Sequence, residues 1–287
     1  MKQYIIIDHQ CSKEKFQIRK DKTTGAWKTC PQINKKHASK YYKHQGYMPY
    51  KTKPKSLFDV IYGLARKINN SLKTRYINKI KSKGNMLDYG AGVGSFADHA
   101  KSKGWDVEAF ETDTDCKKTL KERKITIVDE KLCKNRYDVI TMWHVLEHLQ
   151  NPKKTLEKLY NSLKPTGRVF VAIPNHSSWD AQHYKENWAA FDVPRHTWHY
   201  NKNSFHKLIK QTGFTIEKTS PMFIDAFYIS IISEKHCKSN FPYLKGTIKG
   251  LYSNLKGMMN NNTSSLLFCL KKTNLRPFKS RSFKKGG

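Results

Sequence analysis

Leu87-Asp88-Tyr89-Gly90-Ala91-Gly92-Val93-Gly94 closes a hydrophobic run with an acid and opens a glycine loop. After a second hydrophobic run, Trp105-Asp106-Val107-Glu108-Ala109-Phe110, comes Glu111. Loop, strand and acid at this interval predict a nucleoside-bearing cofactor at the first βαβ crossover of a doubly wound α/β sheet. Gly90, Gly92 and Gly94 spell G-x-G-x-G, and Ser95 stands where the dinucleotide fingerprint has its third glycine. Glycines let the backbone pass close to a ligand at positive φ. The first turn of the helix that follows points free N–H groups at an anion. The Glu111 carboxylate can accept from both hydroxyls of a ribose. The alternative is a tight structural turn with a surface glutamate.

Outward from the loop, strands and helices alternate. Phe96, Ala97 and Ala100 mark a helix that stops at Gly104. Asp113 or Asp115 caps a helix through Leu120, and Ile125–Val128 reads as the third strand. Tyr137 to Met142 reads as the fourth, and Asn151-Pro152 caps the helix after it. Arg168–Ile173 reads as the fifth strand, Phe214–Glu217 as the sixth and Ser264–Lys271 as the last. Helices are expected from Asn201 or Asn203 to Gly213 and over 222–235, and upstream over 56–83, where Leu57, Phe58, Ile61, Leu64, Ala65 and Ile68 recur at helical spacing.

Tyr137-Asp-Val-Ile-Thr-Met-Trp-His-Val-Leu-Glu-His-Leu149, then Asn151-Pro152, adds a more specific signal. With it the chain resembles class I S-adenosylmethionine-dependent methyltransferases, on the branch that includes the ubiquinone-biosynthesis O-methylases. The likeness runs from Met86 to Asn175 with specific motifs and more loosely to Lys272. It implies a Rossmann-like, doubly wound, seven-stranded sheet with helices on both faces, and S-adenosyl-L-methionine as cofactor. It also implies that Asp88, Gly90, Gly92 and Gly94 lie against the methionine part and that Glu111 holds the ribose. Asp129, with Glu130 competing, is the candidate at the adenine. Ala91, Thr112, Trp143 and His144 complete the expected cofactor site.

Methyl transfer from a sulfonium is an in-line displacement that needs alignment, exclusion of water and, for a hydroxyl acceptor, removal of a proton. Two segments reach the carboxyl ends of the strands, where this chemistry belongs. In the first, His144-x-x-Glu147-His148 stands where the quinol O-methylases carry Glu-x-x-Glu-His, a loop that can support a divalent metal. His144 replaces the first carboxylate, which puts hard-cation binding by Glu147 and His148 in doubt. His148 is then a structural histidine, a general base or a ligand. The second segment, 175–201, resembles the acceptor-side lid of a bacterial subgroup with a Trp-Ala-Ala-Trp/Phe-Asp-x-Pro-Arg-His run, here Trp188 to His196. Trp179, Tyr184, Trp188, Phe191 and Asp192 are its expected acceptor wall. Arg195 pairs with an acceptor anion or with Asp192. His196 is the first choice of base, against a structural Asp–Arg–His brace.

The rest of the chain divides into an irregular N-terminal module (1–55), a helical linker (56–84), the catalytic domain (85–272) with a basic amphipathic insertion (236–260), and a basic tail (273–287). The formal charge of +31 is uneven: residues 1–87 carry +17, residues 88–234 carry +2 and residues 235–287 carry +12. Such flanks suit RNA, anionic lipid head groups or an acidic glycan, or are the solvated faces of a lysine-rich proteome. His9, Cys11, Cys30 and His37 resemble a degenerate zinc module without its paired ligands, so a metal-free remnant is expected. No apolar run is long enough for a membrane span or a signal peptide. A cytoplasmic protein, also at the inner membrane face, is expected.

Three functions follow. The first is methyl transfer to a small-molecule acceptor, an oxygen of a quinol-type phenol or of a glycan-pathway sugar. The second is RNA methylation through the basic flanks, against which no Asn/Asp-Pro-Pro-aromatic tetrad follows the fourth strand. The third is a non-enzymatic cofactor fold that binds a membrane surface or a partner. Lys245, Lys249 and Lys256, interleaved with Phe241, Leu244, Ile248, Leu251 and Leu255, fit an amphipathic surface helix for that role, or else a helix packed on the sheet.

Overall fold

A computed structural model describes residues 4–33, 39–42 and 57–273. His37, Tyr47, Tyr50 and the expected tail from residue 274 onward lie outside the described residues. The N-terminal part is a meander of β1 (Tyr4–Ile7), β2 (Lys15–Lys20) and β3 (Trp27–Cys30), followed by the short α1 (Ser39–Tyr42). Ile6, Phe16 and Ile18 are buried, as strand alternation requires when one face is covered. The long α2 (Leu57–Asn78) then leads into the catalytic domain.

That domain runs β4 (Asn85–Tyr89), α3 (Ser95–Ser102), β5 (Asp106–Phe110), α4 (Thr114–Glu122), β6 (Thr126–Ile127), β7 (Tyr137–Trp143), α5 (Pro152–Ser162) and β8 (Leu163–Pro174). It continues through α6 (Trp179–Tyr184), β9 (Trp198–His199), α7 (Lys202–Ile209), β10 (Phe214–Pro221), α8 (Phe223–His236), α9 (Pro242–Asn260) and β11 (Ser265–Lys272). The caps follow the side chains. The Asp113 carboxylate accepts from the backbone of Asp115 and Cys116, Asn151 accepts from Lys154, and Asn201 forms a reciprocal capping box with Ser204.

Seven strands form one sheet in the order β10-β11-β8-β7-β4-β5-β6. Pairs from β6 to β8 are parallel, whereas β11 inserts antiparallel between β8 and β10. Apolar clusters cover both faces of this sheet, one built on Leu156, Leu159, Phe205 and Phe268, the other on Phe96, Trp105, Leu120 and Phe170. The central strand β7 is buried along nearly its whole length, as a parallel strand between two helical layers should be. The doubly wound, seven-stranded sheet expected from the sequence is the one observed.

The N-terminal sheet is completed from the catalytic domain. Its fourth strand is β9, with Trp27 opposite His199 and Lys28 opposite Trp198. A third apolar cluster joins Ile6, Phe16 and Ile18 to Tyr184, Trp188, Phe191 and Ile229. Of the two readings of α9, its exposed apolar residues match an amphipathic surface helix rather than a helix packed on the sheet. It lies on α8 through small residues, with its leucines outward. No helix among the described residues is long and apolar enough to cross a membrane.

Candidate active site

The glycine loop is held by its own backbone. Gly90 and Ala91 donate to the Phe110 carbonyl at 2.7 and 3.2 Å, joining the ends of β4 and β5. All three glycines have left-handed φ, at 79°, 55° and 75°, a region costly for residues with a Cβ. Their surroundings differ. A Cβ on Gly90 would meet Val145 at 2.6 Å and one on Gly94 would meet Leu120 at 2.5 Å, but one on Gly92 meets nothing within 4 Å. Gly90 and Gly94 therefore permit close packing, and Gly92 borders open space. The Glu111 carboxylate accepts from the backbone N–H of Gly92 (2.7 Å), Thr112 (2.6 Å) and Asp113 (2.9 Å). A carboxylate so fixed is preorganised beside the loop for a polyol. Asp88 is buried below, accepting from Thr141 at 2.7 Å, and burial lifts its pKa to about 6. Asn70 of α2 donates to the carbonyl and hydroxyl of Ser95, so α2 rests on the first turn of α3. Asp129 lies exposed beyond β6.

At the end of β7, Trp143 packs edge-on against Phe96 at 4.9 Å, and the Lys73 ammonium lies over its ring at 4.5 Å. Its Nε1 is buried without a partner, an orphan donor at the end of β7 that a bound group would satisfy. His144 turns the chain at φ 56°. Its Nε2 lies 2.9 Å from Asp225 of α8, and its Nδ1 lies 3.3 Å from Glu147. Burial disfavours the imidazolium, but the two carboxylates outweigh it and raise the pKa to about 10. Burial also opposes ionisation of Glu147 and Asp225, yet the His144 charge keeps both below the usual carboxylate range. Both Glu147 oxygens lack a hydrogen-bond donor in good geometry, as the buried Tyr200 hydroxyl lacks a partner.

The other histidines stand against the lid. His148 donates through Nδ1 to the Arg195 carbonyl (3.0 Å), and His196 through Nδ1 to the Ala190 carbonyl (2.8 Å). Since a carbonyl only accepts, both rings carry their proton on Nδ1. The rings meet edge to face at 4.6 Å. Burial and the neighbouring His196 push His148 down to about 4. Among the described residues no three His, Cys, Asp or Glu side chains are grouped to hold a metal ion.

The lid residues take other roles than an acceptor wall. Arg195 is buried and fully engaged: it donates to Asp192 at 2.7–3.1 Å, to Asp8 at 3.0 Å and to the Tyr41 carbonyl at 2.9 Å. Its guanidinium therefore braces β1 and α1 against the lid, and no free fork remains for an acceptor anion. Of the roles open to Arg195, this geometry matches the pairing with Asp192 in a brace rather than a fork left for an acceptor. Trp188 is buried and donates to Asp180 at 2.7 Å, Tyr184 donates to Glu234 at 3.0 Å, and Phe191 stacks on Trp27. Trp179 stacks on His183 and meets Tyr252 of α9 edge-on. These aromatics form the core between the N-terminal sheet and the α8–α9 hairpin. Asp180, accepting also from Ser253 and Ser264, pins that core to α9 and β11. Sequence reading missed Lys73, Asp225 and Tyr200. For Asp225 a signal exists: it is the sole acid in the apolar stretch 218–233.

A glycine loop and fixed acid at the first crossover, with an acid–base cluster at the end of the fourth parallel strand, define a class I methyltransferase fold and site. The match to the methyltransferase domain family spans residues 57–219, more than half of the chain, and the chain belongs to that family. Ubiquinone biosynthesis O-methyltransferase of Rickettsia bellii is 24% identical over 218 residues, covering 66% of this chain and 89% of that protein. The fold resembles that of Burkholderia thailandensis 1,6-didemethyltoxoflavin N1-methyltransferase (TM-score 0.52, 12% identical, 96% of this chain and 100% of that one). Haemonchus contortus phosphoethanolamine N-methyltransferase 2 is 20% identical (TM-score 0.47), and the match covers 70% of this chain but only 52% of that protein. The chain is an S-adenosylmethionine-dependent methyltransferase. The open side of Gly92, the fixed Glu111 and the orphan Trp143 Nε1 fit that cofactor.

Proposed function

We propose that the acceptor is a small molecule methylated on oxygen, a phenol of the quinol type, and that the His144–Asp225 pair handles its proton. The cofactor supplies a methyl group on a sulfonium, already activated for displacement. What the protein must add is alignment and an oxygen nucleophile. The observation that carries the reading is the charge balance at the end of β7. Two carboxylates, Glu147 and Asp225, face one imidazole. With His144 protonated at neutral pH these three groups bear one net negative charge, offset by the Lys73 ammonium that also acts on Asp225, and the carboxylate form of Asp225 can accept one proton. Asp225 is the more accessible carboxylate, 13% exposed against 1% for Glu147, and accepts the hydroxyl proton as the methyl group transfers. The His144 cation steadies the negative charge that develops on the oxygen, as a fixed charge in a partly buried site does best. Trp143 offers an aromatic wall beside it. The kinship with ubiquinone O-methyltransferases supports a phenol over the sugar of a glycan pathway.

The test is Asp225→Asn, assayed with labelled S-adenosylmethionine against catechols, hydroxybenzoates, free sugars and RNA. Turnover on a phenol should fall about 10²–10⁴-fold, the usual worth of a positioned base, while cofactor affinity holds. Without the Asp225 charge, His144 should lose its proton at lower pH, moving the alkaline limb of kcat downward. Unchanged turnover in the variant would remove Asp225 from the chemistry. Label entering only RNA would overturn the acceptor class.

A further inference from the structure

The α8–α9 hairpin carries a surface that the methyl-transfer reaction does not use. On α9, Gly246, Gly250, Ser253 and Gly257 are buried. Leu244, Ile248, Leu251, Leu255 and Met258 repeat the same spacing two residues out of step, about 200° around the helix. These five and Met259 are all at least half exposed, from 52% at Leu251 to 81% at Met259. The helix cannot turn its leucines inward. A Cβ on Gly246 would lie 2.5 Å from the Ile231 backbone, one on Gly250 2.9 Å from that of Phe227, and one on Gly257 2.8 Å from that of Thr263. Contacts that close admit only glycine at these three positions, so the apolar stripe is held outward.

The stripe has a charged border of one sign. Lys245 and Lys256 lie along one flank with Tyr252, and Lys249 reaches inward to Glu234 at 2.7 Å. No acid occurs anywhere from residue 235 to 287. A second exposed stripe, Leu64, Ile68 and Leu72, runs along α2 between Arg66, Lys67 and Arg75. Each helix touches the start of α8, where Asn69 of α2 lies 3.5 Å from Asp225 and Asn254 of α9 donates to the Phe223 carbonyl at 2.9 Å. Phe223 is itself exposed there. The apolar surface therefore borders the residue that closes the His144 site.

We propose that α9, with the exposed stripe of α2, docks in the plane of an anionic lipid bilayer and sets the mouth of the methyl-transfer site against the membrane surface. An outward row of Leu, Ile and Met with tyrosines and lysines along its edge is the composition of an interfacial helix. Lysines without acidic neighbours select negatively charged head groups. A soluble protein partner would have to offer an acidic apolar groove, whereas a bilayer supplies both chemistries at once. The inference stands on the surface alone and survives if the acceptor proves not to be a phenol.

Sedimentation of the full chain with vesicles tests it, using phosphatidylcholine alone and phosphatidylcholine with one quarter phosphatidylglycerol. The protein should pellet with the anionic vesicles and far less with the neutral ones. Ile248→Asp/Leu255→Asp should abolish pelleting, and Lys245→Gln/Lys256→Gln should weaken it about 25-fold, at about fivefold per lysine. Both variants should bind S-adenosylmethionine as the wild type does, which separates loss of docking from loss of fold. A wild type that stays in the supernatant, or a double-aspartate variant that still pellets, overturns the proposal. Light scattering that shows a dimer abolished by Ile248→Asp/Leu255→Asp would overturn it too, by assigning the stripe to a second copy.

Discussion

Replacing Arg195 by methionine separates the two roles open to this residue. The guanidinium is buried, 1% exposed at the side chain, between the carboxylates of Asp8 and Asp192. Methionine keeps most of the stem volume, so the change is electrostatic rather than a cavity. It leaves Asp8 and Asp192 buried without their cation, a loss of about 3–5 kcal/mol for a broken buried pair. For a domain of this size that lowers Tm by about 6–20 °C. Calorimetry reads it directly. Adding Asp8→Asn removes one stranded charge and keeps Oδ1 for the Gln10 and Cys11 amides, at the loss of the Oδ2 acceptor of the Ser12 amide. The double variant should therefore recover more than about 1 kcal/mol over Arg195→Met. Acid sensitivity gives a second reading. Burial pushes the Asp8 carboxyl up, but the Ser12 amide and Arg195 outweigh it and hold it at about 2. Its pairing stabilises the fold above the ordinary carboxyl value near 4, and that stability is lost as pH falls from about 4 to about 2. Without Arg195 that contribution is gone, so the stability gap between wild type and variant should narrow as pH falls from about 4 to about 2. An Arg195→Met protein with wild-type Tm and acid midpoint, but no methyl transfer, would refute the brace and return Arg195 to the acceptor.

Glu111→Ala should weaken S-adenosylmethionine binding about 10–100-fold by calorimetry, since it removes a charge-assisted acceptor and frees three loop amides at once; unchanged affinity would show that the ribose lies elsewhere. Gly94→Ala and Gly92→Ala should part ways, although both place a Cβ at positive φ. Gly94→Ala drives a methyl toward Leu120 and should cost about 2–4 kcal/mol of stability. Gly92→Ala should cost about 1 kcal/mol while reducing cofactor affinity at least tenfold, because its methyl enters the open side of the loop. Unchanged cofactor affinity in Gly92→Ala would mean that the space beside Gly92 is not the cofactor's.

How far these features could be read from the chain depends on the distance over which they are decided. The glycine loop, its acid, the capped helices and the parallel strands are settled within a few residues by φ, capping and hydrophobic period, and they stand where the sequence placed them. The lid was legible as a dense cluster but not in its direction, because its partners come from the other end of the chain. Asp8 and Tyr41 turn Arg195 into a brace, and Trp27 and Ile229 turn Phe191 and Trp188 into core. The His144 pair was hidden for the same reason, with 81 residues separating it from Asp225. Helix α9 exposes the remaining gap in pattern reading. An amphipathic sequence has two faces, and the usual inference buries the apolar one. Here the backbone of α8 comes too close to Gly246 and Gly250 for a Cβ, and that of Thr263 too close to Gly257, so the glycine row is the inner face and the leucines are left for something outside the chain. Periodicity locates a face; only the size of the residues opposite decides which way it turns.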